Sequence, residues 1–445
     1  MKGRALEREP AVVPERAKQV GEIRDRWSWV EPEVWTERML TALEEGVKGG
    51  KWFSLSDKVY ALRTLYKAFT RVKSNGGGAG IDHQTVEMFE SRLGENLEKL
   101  SQDLRDNVYR PQAIKRVYIP KLGSSEKRPL GIPTVRDRVV QAALKMVLEP
   151  IFERDFAKQS YGFRPGHSCK DALRKVDDLL KQGYIWVVDA DLKSYFDTIP
   201  HKGLLELVAD KVTDGNVLRL IDLYLNQEVM DTMKRWKPEE GTPQGAVLSP
   251  LLSNIYLDPL DHLMAGEAEE MVRYCDDFVI LCQSEADAQA VLAKVREWTV
   301  LNGLALHPGK THIVDATVKG GFDFLGYHFE RRYRWPRPKS LKKLKDTVRS
   351  KTKRCNGQSM EKIIVDLNRT LIGWFGYFQH SYKTTFQPLD GWIRMRLRSI
   401  LRKRHGGRGR GRGYDHNRWP NSYFAEHGFF SLAKAHAEAC QSSMR

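Results

Sequence analysis

The ten residues RYCDDFVILC, 273–282, set two adjacent acids between two apolar runs. Runs of this kind read as two buried strands joined by a tight turn, with Asp276 and Asp277 at its tip. Adjacent carboxylates repel, and burial makes the repulsion worse. Such a turn needs cations, either basic side chains or bound metal. A second stretch, VVDADLKSYFD (187–197), ends another buried apolar run on Asp189 and Asp191. If the two strands are neighbours, Asp191 and Asp276 converge at one sheet edge. Hard divalent cations take oxygen ligands and keep water or phosphate in their shell. Two Mg²⁺ ions about 4 Å apart can activate an attacking hydroxyl and stabilise a leaving oxygen in phosphoryl transfer. Acids paired with Lys or Arg at an ordinary turn are the alternative.

Outward from this turn the chain alternates strands and helices. Residues 1–25 are charged and contain Pro, a loose leader. Helical patterns follow, the second over 55–72, and KSNGGGAGID (73–82) breaks them as a linker or a ligand-approaching loop. IKRVYIP and the residues after GSSEKR read as a basic hairpin, and RDRVVQAALKMVLEPIF as a helix bent or ended near Pro150. The run from Tyr184 to Val188 suits a strand buried on both faces. GTPQGAVLSPLLSNIYLDPLDHLM is a Gly/Pro turn feeding a helix, and GFDFLGYHFERRY returns to strand. Beyond Arg331 the pattern is helical, ending in the low-complexity GGRGRGRG (406–413). The fold class is α+β, a mixed core followed by an α-helical block.

The chain has 445 residues, 73 Lys+Arg and 57 Asp+Glu, a net charge of +16. Residues 331–412 hold 24 basic and 4 acidic residues, so the rest of the chain is slightly acidic. A basic block on a near-neutral body points to a polyanion, nucleic acid above all. The five cysteines form no C-x-x-C pair, which argues against a disulfide framework or a zinc ribbon. No apolar stretch approaches the roughly 20 residues of a membrane span, and the N-terminus lacks a signal-peptide core. The expectation is a cytoplasmic bacterial protein with no membrane partner, acting near the nucleoid when on DNA.

Lys121 and Arg128 flank the LGSSEK turn and can face one anion, Arg as a fork and Lys as a point charge. A solvated hairpin tip is the alternative. LHPGKT (306–311) presents Lys310 on a Pro-Gly turn. It is not a P-loop, because five residues rather than four separate Gly303 from Gly309 and no strand feeds it.

The order of these stretches resembles the reverse transcriptases encoded by bacterial group II introns, over about residues 55–400. RPLGIPTVRDRVVQAALKMVLEPIFERDFAKQSYGFRPGHS is similar to the family's fingers, and DADLKSYFDTIPH to its first palm motif. GTPQGAVLSPLLSNIYLDPLD is similar to its template- and nucleotide-facing motif, and YCDD to its metal-binding turn. LHPGKT and GFDFLGYHF resemble the later palm motifs, and LNRTLIGWFGYFQHS the thumb, or maturase domain. The resemblance implies a right-hand polymerase fold of fingers and palm followed by an α-helical thumb. The implied boundaries are an N-terminal extension over 1–54, fingers and palm over 55–330, a thumb over 331–405 and a basic Gly/Arg-rich tail over 406–445.

By the same resemblance, Asp191, Asp276 and Asp277 hold two Mg²⁺, and Asp189 falls outside the matched position. Phe196 matches a steric gate against the 2′-hydroxyl; a core Phe is the alternative. Gln244 borders the incoming nucleotide and template. Lys310 is a candidate proton donor to pyrophosphate, and Lys121 and Arg128 contact the triphosphate. The Gly-rich loop matches one that precedes the fingers, which moves it toward nucleic-acid contact. Cys275 stands where the family more often has Ala. Many relatives carry a C-terminal zinc-bearing endonuclease; the absence of cysteine pairs gives the expectation of the short form lacking it. Helical cations, Arg394, Arg396, Arg398, Arg402, Lys403 and Arg404, can follow a phosphate backbone, with binding that weakens with salt. Trp374, Phe375, Tyr377, Phe378 and Trp392 are read mainly as thumb core. The expected partners are intron RNA as template, a DNA primer or target and deoxynucleoside triphosphates. The implied function is RNA-directed DNA synthesis with assistance to intron splicing. A relative co-opted for defence or DNA repair and a non-catalytic RNA-binding splicing factor stay open as alternatives.

Overall fold

The computed structural model describes residues 23–442 apart from 48, 121–126, 233, 266–268 and 332. Its strands in chain order are β1 (Ile114–Pro120), β2 (Lys127–Ile132), β3 (Trp186–Asp191), β4 (Val229–Asp231), β5 (Lys234–Trp236), β6 (Glu270–Tyr274), β7 (Asp277–Cys282), β8 (His312–Asp315), β9 (Phe322–Phe324), β10 (Tyr327–Glu330) and β11 (Tyr333–Pro336). The helices that frame the site are α1 (Leu62–Asn75), α2 (Val135–Glu153), α3 (Cys169–Lys181), α4 (Tyr195–Thr198), α5 (Ser249–Ala265) and α6 (Glu285–Leu301). Those of the C-terminal block are α7 (Pro338–Lys351), α8 (Met360–Phe378), α9 (Phe386–Arg404), α10 (Asp415–Arg418), α11 (Asn421–Glu426) and α12 (Leu432–Ser442).

The central sheet has the order β6-β7-β3-β8, with every neighbouring pair antiparallel. Alternation sends Val188, Ala190, Phe278 and Ile280 into a core shared with α5 and α6. The opposite face sends Val187, Val272, Val279 and Leu281 against α3 and the β11-β10-β9 sheet. Both faces are covered, so the strands read as continuous apolar runs, as the sequence indicated. The β1–β2 hairpin forms as expected, and β4 adds to β1 in parallel, pairing Ile114 with Val229.

α2 ends at Glu153, near Pro150 as expected, with the proline inside its last turn. Proline has no N–H, so the carbonyl of Met146 loses its helical partner. The Trp35 indole Nε1 donates to that carbonyl at 3.1 Å, and the buried acceptor is satisfied from outside the helix.

Two expected boundaries are corrected by the packing. β11 pairs with β10 from Tyr327↔Pro336 to Glu330↔Tyr333, so one sheet runs across residue 330. Residues after 405, expected as a basic Gly/Arg-rich tail, also pack against the helical block. Trp419, Phe424, Phe429 and Leu432 are buried in one core with Leu344, Ile364, Leu371 and Ile393 of α7–α9. Within the Gly/Arg run, the Gly411 backbone N–H donates to Ser399 Oγ at 2.9 Å and Arg402 Nε to the Arg408 carbonyl at 2.7 Å. Among the described residues no helix is long and apolar enough to cross a membrane.

Candidate active site

β3 and β7 pair in a register that sets Asp191 opposite Asp277. Asp276 occupies the turn between β6 and β7, so three carboxylates meet at one sheet edge, as the sequence predicted. Cys275 takes the turn into left-handed backbone, φ 63°. It packs against Gly162, where an added Cβ would lie 2.2 Å from the Cys275 nitrogen and 2.6 Å from its Sγ. A small residue at 275 and none at 162 are both steric requirements.

Beneath the turn lies a residue the sequence reading did not single out. Arg273 is fully buried and donates to both carboxylate oxygens of the equally buried Asp261, the Nε bond being 2.7 Å. Its Nη1 donates to Asn254 Oδ1 at 3.0 Å and to the Cys275 carbonyl at 2.7 Å. Asn254 in turn donates to the Gly162 carbonyl at 2.8 Å. The turn that carries the acids is thus tied to α5 and to the segment before α3. A signal was available, since an Arg at an inward position of an apolar strand must be paired. Its partners, on a separate helix, were not legible.

Burial raises Asp277 to about 6, with Asp276 and Asp191 adding repulsion while Arg337 and Lys310 oppose it. Asp276 is also pushed up, first by burial and then by Asp191, with Arg128 and Arg273 pulling the other way. Asp189 reaches about 7, from burial and then from Asp277, Asp323 and Asp191. Lys310 Nζ donates to Asp191 Oδ2 at 2.8 Å, and the His307 backbone N–H donates to the Asp191 carbonyl at 2.7 Å. Clustered acids that raise one another's pKa are the electrostatic mark of a functional site.

The chemistry of this donor set fits hard divalent cations: aspartate oxygens alone, mutually destabilised while unneutralised. Among the described residues no group of three or more His, Cys, Asp or Glu side chains is placed to hold a metal ion by itself. Mg²⁺ sites of the substrate-assisted kind do not need one, because water and phosphate complete the shell.

Phe196 and Gln244 line one cavity of about 220 Å³ with Arg116, Asp197 and Trp236. Ser194, in left-handed backbone at φ 51°, turns the chain from β3 into α4 and brings Phe196 there. The Thr242 N–H donates to the Phe196 carbonyl at 2.6 Å, and the Gly131 N–H to the Gln244 carbonyl at 2.7 Å. Gly245 has φ 105°, and a Cβ there would meet the Gly131 carbonyl at 2.6 Å, so the glycine of PQG is obligatory. A second cavity of about 530 Å³ runs from Asp277 to Ser340, Lys343, Trp374 and Tyr377. Arg128 is exposed on β2, within electrostatic reach of Asp276. Lys121 lies outside the described residues.

The C-terminal cations divide. Arg398 is only 2% exposed, with Nε on the Trp419 carbonyl and Nη2 on Asn421 Oδ1, both at 2.8 Å. Its assignment to a nucleic-acid surface is therefore corrected: it is an internal tie between α9 and the stretch from Trp419 to Asn421, where α11 begins. Arg394 is half-buried beside Asp390, and Arg402 pairs with Asp415 at 2.7 Å. Lys403 and Arg404 are exposed at the end of α9, Arg404 bonding the carbonyls of Asn356 and Gln358. Of the aromatics, Phe375 and Phe378 are buried as expected, whereas Trp392 lies half-buried under basic side chains.

Family models match two parts of the chain. Residues 119–329 match reverse transcriptase (RNA-dependent DNA polymerase), and residues 341–419 match the group II intron maturase-specific domain. The chain is 35% identical over 294 residues to Protein YkfC of Escherichia coli, covering 57% of this chain and 76% of that one. It is 40% identical over 206 residues to the group II intron-encoded protein LtrA of Lactococcus lactis subsp. cremoris, covering 45% of this chain but 34% of LtrA. A chain of the partial Cas6-RT-Cas1--Cas2 complex superposes with a TM-score of 0.37 at 24% identity, over 56% of this chain and 42% of that one. The chain belongs to the reverse transcriptase family, among the members that carry a group II intron maturase-specific domain.

Proposed function

We propose that the protein is an RNA-directed DNA polymerase that copies group II intron RNA and also holds that RNA in its splicing-competent fold. The observation that carries the reading is the meeting of Asp191 and Asp277 in register, with Asp276 at the adjoining turn and Lys310 on Asp191. Asp191, Asp276 and Asp277 would hold two Mg²⁺, which supply activation of the primer 3′-hydroxyl and neutralisation of the leaving oxygen.

The chain's own residues do the rest. Arg128, with Lys121, binds the triphosphate of the incoming deoxynucleotide. Phe196 closes the cavity under its sugar, where a 2′-hydroxyl would meet the ring. Gln244 borders the nascent base pair from the same cavity. Lys310 holds a proton at Nζ beside the charge that develops on pyrophosphate, a role matched to a lysine at a phosphate site. The basic C-terminal block supports a nucleic-acid partner, and the maturase-specific match supports RNA as that partner.

Primer extension on an RNA template with Mg²⁺, comparing wild type and Asp276→Asn, tests the reading. The expected result is loss of synthesis with RNA binding retained. A wild-type protein that promotes splicing but extends no primer would identify a non-catalytic RNA-binding factor instead.

A further inference from the structure

The chain before β8 already lies along the end of β3. Leu306 bridges Leu192 in antiparallel register, the Lys193 N–H donates to the Ala305 carbonyl at 2.8 Å, and the His307 N–H donates to the Asp191 carbonyl at 2.7 Å. Unbroken pairing from there would set residue 309 against Asp189. His312 holds that place instead, so three extra residues are looped out at the sheet edge, between His307 and His312. An excess of this kind is a bulge, and bulges beside active sites re-aim a side chain. This one carries Lys310 back over the strand, its Nζ 2.8 Å from Asp191 Oδ2.

The N–H groups of the loop converge on His307. Its carbonyl accepts from Lys310 at 3.1 Å and from Thr311 at 3.0 Å, and its ring Nδ1 accepts from Gly309 at 3.2 Å. Pro308 has no N–H, so every backbone N–H from 308 to 311 ends on this one residue. The two carbonyl bonds need only a backbone, which any residue supplies. The third needs a side-chain acceptor of short reach, and Nδ1 provides it much as the oxygen of a turn-forming Asn or Asp does. Accepting there leaves the proton of the neutral ring on Nε2. At the far end, His312 Nδ1 donates to the Lys310 carbonyl at 2.9 Å and ties the loop to the start of β8. Pro308, Gly309 and Lys310 are exposed, so these bonds spare the loop little desolvation; what they fix is its shape.

We propose that His307 is a positioning residue for Lys310: its ring Nδ1 holds the looped-out turn in the shape that keeps Nζ over the catalytic edge. This rests on the polymerase reading, in which Lys310 holds a proton beside the departing pyrophosphate. A lysine carries its charge on a flexible stem, so a defined Nζ position depends on the backbone beneath it. His307 fixes that backbone at two points. Its own N–H anchors the loop on the Asp191 carbonyl, and its ring sets the turn that carries Lys310 to the carboxylate of the same Asp191.

The test uses the full chain and measures kcat and KM for single-nucleotide addition to a DNA primer on an RNA template. His307→Ala should lower kcat about 10- to 50-fold, with the KM for the deoxynucleotide within about twofold of wild type. His307→Asn puts Oδ1 where Nδ1 stands and should bring kcat back to within about threefold of wild type. Lys310→Ala supplies the background that separates positioning from an independent role. There, His307→Ala should lower kcat by less than about twofold more, because the group it positions is gone. A second readout needs no turnover: labelling of the Lys310 amine by acetic anhydride, followed by mass spectrometry. Loosening the turn frees Nζ from Asp191, so His307→Ala should label about two- to fivefold faster than wild type, and His307→Asn at the wild-type rate. Unchanged kcat in His307→Ala would overturn the proposal, as would a full loss that persists in the Lys310→Ala background. So would failure of His307→Asn to restore kcat, which would assign the effect to the ring rather than to its acceptor. If the wild type extends no primer, the polymerase reading fails and the labelling rates decide the positioning by themselves; equal rates for His307→Ala and wild type would then overturn it.

Discussion

The tie between Arg273 and the catalytic turn can be broken in a way that separates stability from activity. Arg273 and Asp261 are both fully buried and bonded through two nitrogens. Removing one partner of such a pair costs about 3–5 kcal/mol, because the other charge stays buried and uncompensated. Arg273→Met also leaves the Cys275 carbonyl and Asn254 Oδ1 without this donor, at about 1 kcal/mol or more each. The single variant should therefore lose at least about 4 kcal/mol, a large share of the 5–15 kcal/mol of an ordinary domain. Asp261→Leu alone should lose about as much. The double variant, with two apolar side chains and no charge, should recover most of the stability. It should not recover the turn, because the Cys275 carbonyl still has no donor. Urea melts of the four proteins give the coupling energy, expected at about 3 kcal/mol or more. Primer extension on the same samples should stay well below wild type in the double variant. Single substitutions costing under about 1 kcal/mol, or a double variant with full extension, would refute the claim that Arg273 positions Asp276 and Asp277.

Three further outcomes follow from particular side chains. Asp189 holds its proton to about 7 in the folded chain, against 3.8 for an ordinary aspartate, so with metal chelated stability should fall as pH rises from about 4 to about 7. Asp189→Asn should match wild type below pH of about 4 and exceed it by about 1–3 kcal/mol above about 7, the full shift being discounted for relaxation and coupling; a difference that does not change with pH would sink the argument. Phe196→Ala should raise the relative kcat/KM for ribonucleotides by about 10- to 100-fold, and unchanged sugar selectivity would return Phe196 to the core. Arg398→Ala should cost about 2–4 kcal/mol in a melt and leave RNA affinity of the folded protein intact, since its donors serve Trp419 and Asn421. Loss of RNA affinity without loss of stability would put it back on the surface.

The strand-turn-strand at 270–282 was legible because both faces of its sheet are covered, and doubly buried strands leave an unbroken apolar run. The convergence of Asp191 with the 276–277 pair was legible for the same reason, since each acid ends such a run. Register was not: nothing local in VVDAD specifies that Asp191, rather than Asp189, lies opposite Asp277. The end of the helix near Pro150 was legible, but not how the chain runs three residues past the proline: that depends on Trp35, more than a hundred residues away, which takes up the carbonyl that the proline frees. Arg394, Arg396 and Arg398 looked like one basic stripe when counted along the chain. On a helix, alternate residues point about 200° apart, so Arg396 must leave the side that Arg394 and Arg398 share. That much periodicity could have shown. The burial of Arg398 could not be read, because its partners come after a Gly/Arg run whose composition resembles a free tail.

Two non-glycine residues in left-handed backbone stand just before functional side chains, Ser194 at φ 51° two residues ahead of Phe196 and Cys275 at φ 63° one residue ahead of Asp276. Each such residue costs about 1–2 kcal/mol relative to ordinary backbone. Glycine would remove that cost, but it would also enlarge the unfolded ensemble and free the turn. At 275 it would do more, because the Cys275 side chain fills the space left by the missing Cβ of Gly162. A larger residue at 275 would drive into the 162 backbone, and a smaller one would loosen the contact that closes the turn from above. Arg273 closes it from below through the Cys275 carbonyl. The adjacent acids are thus held by a strained residue clamped on both sides, which lets two carboxylates stay in place while their mutual repulsion is unneutralised. Local strain at 275 and a buried ion pair at 273–261 each look unfavourable alone. Together they fix a turn whose charges would otherwise drive it apart, which is the arrangement expected where geometry is needed before the cation arrives.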